Sequence, residues 1–572
     1  MKKISSFFMV AMLSMLSVGC SSDNDEISGD NGSLNANDKF YMSIKVDLPT
    51  DKSGRSNTDG VGDGTTAEGT ENGQDFENKV NNVTVLLVDN FYDERTNPNI
   101  LLASHVNNLV GSDKMYTVPF NAADITKMMN GQGTKKISVC VVCNASEELL
   151  NKLTTGTSLQ EIEDAIKAKD SLDLEKIKNK FLMSGISEEA MLLNSDEFSR
   201  DKTHPSSLGT VKVERAAARF DYHVTEKEGN STTVFTLANS TPHDGVNATV
   251  TLTHTGLINI SKNFYLFKRV TKNGQNNTIE SKFGLMTQEN DKNYVVDTDA
   301  EAKSQVTDDF SAFNNKFFAQ YTKDVLSNVA FVKMPTGKDG ANDNNNHSVM
   351  GKDYARLFYC SENTIPAQAD GKNNNQLNGI TTGVVFKAQI SINSGDQLSK
   401  FGCKINEPES EAAPMIYAFG GKLYGTWAKV AAQIGNDNSL KAAYEHVEAT
   451  KDKAIEGTPE FAKLAASVNF TVFTAEQIDE TGKYAYYTYY YYWNRHNNNN
   501  DPNVMGPMEF GVVRNNVYKL CVNKIKNFGH PKNDDYDPNP INPENPDEDS
   551  NYYFEVNVEV QPWVVRVNDI EF

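Results

Sequence analysis

Residues 40–48 read FYMSIKVDL, an unbroken alternation. Phe40, Met42, Ile44, Val46 and Leu48 fall on one side, and Tyr41, Ser43, Lys45 and Asp47 on the other. Successive side chains of an extended chain point to opposite faces, so this period of two marks a half-buried β-strand. Pro49 stops it. The stretch 49–75 is rich in Gly, Thr, Asp, Asn and Ser, the composition of an exposed loop. Arg55, inside it, is the first arginine of the chain, and no Lys or Arg occurs between 56 and 78.

Ahead of the strand lies a targeting segment. Lys2 and Lys3 precede an apolar run over 4–18 that leads into Gly19-Cys20. That run is short for a membrane span and placed like a signal peptide. Small residues before a cysteine resemble a bacterial lipoprotein signal, which makes Cys20 the expected lipidation site, although Ser17 stands where leucine is usual. An ordinary secretory signal with a chance cysteine is the alternative. Residues 21–38 then read as a polar tether. No second apolar run of membrane length follows. A net charge of −21 gives no electrostatic basis for gripping nucleic acid. The other cysteines, Cys140, Cys143, Cys360, Cys403 and Cys521, are too scattered for a disulfide framework, and their redox state stays open. Cys140 and Cys143 sit in an apolar strand pattern, KISVCVVCNA, where residues three apart face opposite ways, so they read as buried apolar residues.

Further along, NKVNNVTVLLVDN and KISVCVVCNA read as strands. Ser158 and Glu161 form a capping box that starts a helix. In TVKVERAAARFDYHV the apolar phase flips, with Val211 and Val213 on one phase and Ala216, Ala218, Phe220 and Tyr222 on the other; this predicts a bulge near Arg215, with a domain boundary at 226/227. The second half alternates β-type patterns with helical insertions. These include a helix entered through Thr458-Pro459-Glu460 and another through the Thr474/Gln477 capping box. His243 and His496 read as exposed, and the acidic stretch near the C-terminus as a solvated loop.

No HExxH, GxSxG, P-loop or zinc spacing occurs, and no cofactor or metal site is expected; the reading is non-enzymatic. YAYYTYYYYW (484–493) fits either an aromatic platform for glycans or a wide sandwich strand, and the acidity of the chain favours the strand.

The C-terminal NYYFEVNVEVQPWVVRVNDIEF alternates like the first strand. Phe554, Val556, Val558 and Val560 share one face; past Pro562, which divides or kinks the segment, Trp563, Val565 and Val567 share another. Together with GPMEFGVVRNNVYKLCVNKIKNFGHP (506–531), VERAAARFDY and YYYYWNRH, it resembles the shaft fimbrillins (type V pilins) of Bacteroidales, closest to the short-fimbria major subunits of Porphyromonas. The resemblance implies two tandem transthyretin-like β-sandwich domains, 56–226 and 227–572, on a mainly β chain with helical insertions. It implies an outer-membrane lipoprotein precursor that ends in a cell-surface fimbrium supporting adhesion. It further implies that an arginine-specific protease cuts at Arg55, that the placeholder strand 40–48 leaves, and that a neighbour's strand from 552–572 takes its place. Which half of that region donates stays open, with the terminal half the freer. The implied partners are copies of the same chain, accessory anchor and tip pilins, and host or bacterial surface ligands. A tip or anchor subunit of the same pili and a monomeric glycan-binding lipoprotein are the alternatives.

Overall fold

The computed structural model describes residues 37–48, 71–89, 98–107, 114–159, 162, 180–226, 229–237, 248–271, 282–283, 294–306, 309–318, 329–335, 349–350, 353–366, 376–392, 414–451, 454–478, 482–496, 505–506, 509–548 and 553–564. Within them the chain is mainly β, with short helices between strands, as expected.

The first half contributes β1 (Lys39–Asp47), β2 (Asn82–Asp89), β3 (Ile100–Asn107), β4 (Met115–Asn121), β5 (Thr134–Cys143), β6 (Met183–Ile186), β7 (Ser206–Lys212) and β8 (Glu214–Arg215). β1 is the middle strand of a three-stranded sheet, antiparallel to β4 and parallel to β7. A second sheet runs β8-β6-β5-β2-β3. Alternation turns one face of each sheet inward, and the inward residues meet in one core. Ile44 of β1, Val118 of β4 and Val211 of β7 join Val85 of β2 and Val141 of β5 there. On β5, Cys143 enters this core while Cys140 packs on the other face, and both are buried free thiols, as are Cys360 and Cys521. Burial pushes the Cys143 thiol up to about 12. Cys403 lies outside the described residues.

The second half contributes β9 (Ala218–His223), β10 (Ala248–Ile258), β11 (Tyr354–Cys360), β12 (Gly383–Ile392), β13 (Met415–Phe419), β14 (Thr471–Ile478), β15 (Lys483–Trp493), β16 (Asn516–Ile525) and β17 (Phe554–Val564). One sheet carries β11-β9-β16-β17 and the other β10-β12-β15-β14-β13. Phe220 of β9 and Leu520 of β16 face Val250 of β10, Phe386 of β12 and Tyr490 of β15 in a second core. Helices Trp427–Ala431, Asn438–Thr450 and Pro459–Ala466 cover Tyr417 of β13 and Val472 of β14 on the far side. The last helix starts as the sequence predicts, with the Thr458 side chain accepting from Phe461 N and proline in the first turn.

Several local expectations are corrected. The phase flip around Arg215 is no bulge. The chain leaves one sheet at Arg215 and enters another at Ala218, so Val211 and Val213 face the first core while Ala218, Phe220 and Tyr222 face the second. The sheets therefore change at 216–217. Thr474 opens no helix: β14 runs through it, because both faces find apolar cover, Phe473 in the sandwich core and Val472 under the helices. His496 is buried, its Nδ1 2.9 Å from the Tyr518 hydroxyl. The acidic C-terminal stretch is likewise packed in part, with Tyr536, Asp537 and Asp547 buried. The helix expected from Ser158 lies mostly outside the described residues.

Candidate functional site

Seat of the first strand. Met42 lies opposite Val118 and Ile44 opposite Tyr116 on β4, while Val46 lies opposite Val211 on β7. Met42 and Ile44 are 0% exposed, and Val46 and Leu48 1%. Phe40 is half-buried, its ring 5.3 Å from that of Phe198. Lys45, on the outward phase, is exposed. Backbone bonds extend both edges beyond the ladders, with Tyr41 N donating to Ser199 O at 2.8 Å and Val213 N to Asp47 O at 2.8 Å. All five sequence-selected apolar residues thus fill one slot between two partner strands. At about 1.5–3 kcal/mol per buried side chain they contribute on the order of 10 kcal/mol. An empty slot would present two rows of unpaired N–H and C=O groups, a template for an incoming strand. Arg55 and Cys20 lie outside the described residues.

The last strand. β17 pairs antiparallel with β16 from Phe554 opposite Ile525 to Pro562 opposite Asn516. Val556 packs half-buried against the second core. Pro562 does not divide the segment: the strand continues to Val564, where Trp563 and Val564 pair in parallel with Glu71 and Asn72. Among the described residues that two-residue pairing is all that borders the outer edge of β17, and proline is tolerated in such edge strands. Val565 and Val567 lie outside the described residues.

A buried clamp between the ends. Glu71 and Asn72 lead into helix Asp75–Asn78, which carries the fully buried Glu77. Arg219 Nη1 donates to Glu77 Oε2 at 3.0 Å, and the Tyr359 hydroxyl also donates to the Glu77 carboxylate. The other side of the Arg219 guanidinium forks onto Asp221, at 2.9 and 2.8 Å. Arg215 Nε donates to the Glu77 carbonyl at 3.2 Å and its Nη1 to Asn515 Oδ1 at 3.1 Å. Burial pulls the Arg215 guanidinium down to about 10. Buried charges persist only when paired and hydrogen-bonded, and each of these has several partners. The clamp joins the segment before β2 to β9, β11 and the turn into β16. Sequence reasoning missed Glu77; the available signal was a pair of arginines inside the otherwise apolar RAAARF.

The tyrosine-rich strand. β15 is a central strand between β12 and β14. Tyr486, Tyr490 and Tyr492 face the second core, while Tyr487, Tyr489, Tyr491 and Trp493 pack on the opposite side. The Tyr490 hydroxyl donates to Asn527 O at 3.0 Å and the Tyr489 hydroxyl to Glu476 Oε1 at 3.3 Å. Every aromatic from 486 to 493 is buried, so this strand offers no stacking platform, and the glycan-binding reading built on it fails.

Residues 484–569 match the family model of the C-terminal part of fimbrillin, the major fimbrial subunit protein type IV. This segment is similar to the C-terminal part of fimbrillin. The matched segment begins in β15 and contains β16 and all of β17, so it includes the tyrosine-rich strand and most of the region 552–572. No curated protein matches the chain. Among solved structures it is similar to a fimbrilin from Porphyromonas gingivalis W83, at 13% identity and TM-score 0.34, covering 92% of this chain and 99% of that one. It is also similar to the tip fimbrial protein Mfa3 from Porphyromonas gingivalis with C-terminal truncation, at 9% identity and TM-score 0.29, covering 92% and 100%. A fimbrial assembly protein from Parabacteroides distasonis follows at 11% identity and TM-score 0.25, covering 62% and 98%. Likeness of this degree carries no argument by itself. Among the described residues no helix is long and apolar enough to cross a membrane.

Proposed function

We propose that the chain is the shaft subunit of a surface fimbrium, assembled by exchange of its first strand. It reaches the outer membrane as a lipoprotein acylated at Cys20. An arginine-specific protease cuts after Arg55, β1 leaves, and the C-terminal strand of the next subunit enters between β4 and β7. Such head-to-tail insertion does not close on itself and therefore grows a filament. Accessory pilins anchor and tip the filament, which adheres through surface ligands.

The observation that carries this reading is the position of β1, buried and bonded on both edges yet supplied by the segment just ahead of Arg55 in sequence. The order of pairing in β17 favours the terminal residues as donor. The stretch 554–562 is tied along its length to β16, so donating it would strip the second core of an edge strand, whereas the described ladder is complete without residues 565–572.

Treating purified precursor with an arginine-specific protease should yield ladders on gels and fibres by electron microscopy. Arg55→Ala should abolish both. Normal ladders from that variant would reject the cut site, and polymers that retain residues 39–47 would reject strand exchange.

A further inference from the structure

One buried cluster outside the strand-exchange machinery has the parts of a covalent cross-link. Lys303 ends helix Ala300–Lys303 and is 0% exposed. Its Nζ lies 2.5 Å from Asn363 Oδ1, bonds Asp297 Oδ2, and donates to Thr364 O at 3.0 Å. Asn363 is also 0% exposed. Its amide nitrogen faces Asn259 O at 3.1 Å, Ile380 O at 3.0 Å and Thr382 Oγ1 at 2.9 Å. Those three oxygens hold the carboxamide with its carbonyl turned to the lysine. Two backbone donors fix Asp297, its Oδ2 accepting also from Thr364 N at 2.7 Å and its Oδ1 from Asp299 N at 2.9 Å. A buried amine, a buried carboxamide and a buried carboxylate within hydrogen-bond reach of one another make a preorganised site for amide exchange, with water excluded.

We propose that Lys303 and Asn363 become joined by an intramolecular isopeptide bond, with Asp297 as the proton carrier. Within their ion pair, the Asp297 carboxylate accepts a proton from the Lys303 ammonium as the attack begins. The freed lone pair attacks Asn363 Cγ. The Nζ–Cγ bond forms, and the carbonyl electrons move onto Oδ1. Asp297 then relays two protons in all from Nζ to Nδ2. The carbonyl re-forms, the Cγ–Nδ2 bond breaks, and the nitrogen departs as ammonium. Asp297 ends as the carboxylate it began as. Lysine ammonium plus carboxamide gives amide plus ammonium, so the step needs no oxidant, metal or other reactant. Asp299 beside it is held up to about 7 by burial and by Asp297, so the pocket accommodates a neutral acid. The product would tie the helix at 303 to the strand at 363 across the intervening chain, and it is a property of the single subunit that holds whether or not strands exchange.

Peptide mapping by mass spectrometry of the purified full chain tests it. The expected result is one branched peptide joining Lys303 to Asn363, lighter by one ammonia than its two parts, with tryptic cleavage at Lys303 blocked. Asp297→Asn, nearly isosteric, should return the two separate peptides in protein whose unfolding stays cooperative. Separate Lys303 and Asn363 peptides from the wild-type chain, or an ammonia loss without the branch, would overturn the proposal and leave a buried ion pair only.

Discussion

Truncating Ile44 to alanine separates a placeholder from a permanent strand. Ile44 is 0% exposed in the first core, opposite Tyr116 and beside Met42 and Val46. Removing a buried isoleucine side chain to alanine costs about 2–5 kcal/mol, as lost transfer energy plus the cavity left behind. In uncut precursor carrying Arg55→Ala the whole cost should appear in denaturant unfolding. In assembled fibres it should vanish, because β1 has gone. Val118→Ala, in the slot wall, should weaken precursor and fibre alike by a comparable amount. After cutting, the weakened strand should also leave faster, by about 30-fold or more if 2 kcal/mol is absent from the exit barrier. The assays are equilibrium unfolding of the precursor, thermal dissociation of fibres, and the rate of ladder formation. Ile44→Ala fibres that dissociate more readily than wild type would refute the reasoning, since they would show β1 still in place.

Deleting 565–572 should abolish polymerisation while leaving precursor unfolding unchanged; fibres from the deleted form would move the donor role elsewhere. Glu77→Gln removes one of the two carboxylates that Arg219 bonds, and breaking a buried pair costs about 3–5 kcal/mol, to be read by denaturant unfolding. Gly529→Ala should destabilise the second core, because an added Cβ would come 2.3 Å from the Tyr489 carbonyl; an unchanged melting temperature contradicts that packing. Burial holds the Asp547 carboxyl up to about 8. Folded protein then keeps a proton that the unfolded chain releases near pH ~4, so stability falls between those values by up to about 1.4 kcal/mol per pH unit. Asp547→Asn should gain on wild type across that window, and parallel unfolding curves at both ends would contradict it.

Much of the first sheet was legible because period-two alternation is a local property. The alternation at 40–48 turns inward the residues that the structure packs there, Met42, Ile44, Val46 and Leu48 buried and Phe40 half-buried. Cys140 and Cys143 were assigned to opposite faces by the same rule, and Thr458-Pro459 marked a helix start through its own capping chemistry. Local rules failed where a distant element supplied the deciding contact. Thr474 carries a sound capping box, yet helices on one side and a sheet on the other made a strand the better burial. The flip at Arg215 has the pattern of a bulge, and only the sheet partners reveal a passage between two cores.

The sequence by itself determined which residues of each strand turn inward, since extended geometry alone sets that period. It also marked the first and last strands as alike, and the fimbrillin pattern of the C-terminal segment. Tertiary structure alone decided which edges each strand pairs with. It made β1 a middle strand rather than an edge, and sank the tyrosines between layers. It also drew Glu77 to Arg219 and Lys303 to Asn363. Those choices depend on contacts between residues far apart along the chain, made when the sheets close and water leaves. No local periodicity encodes them.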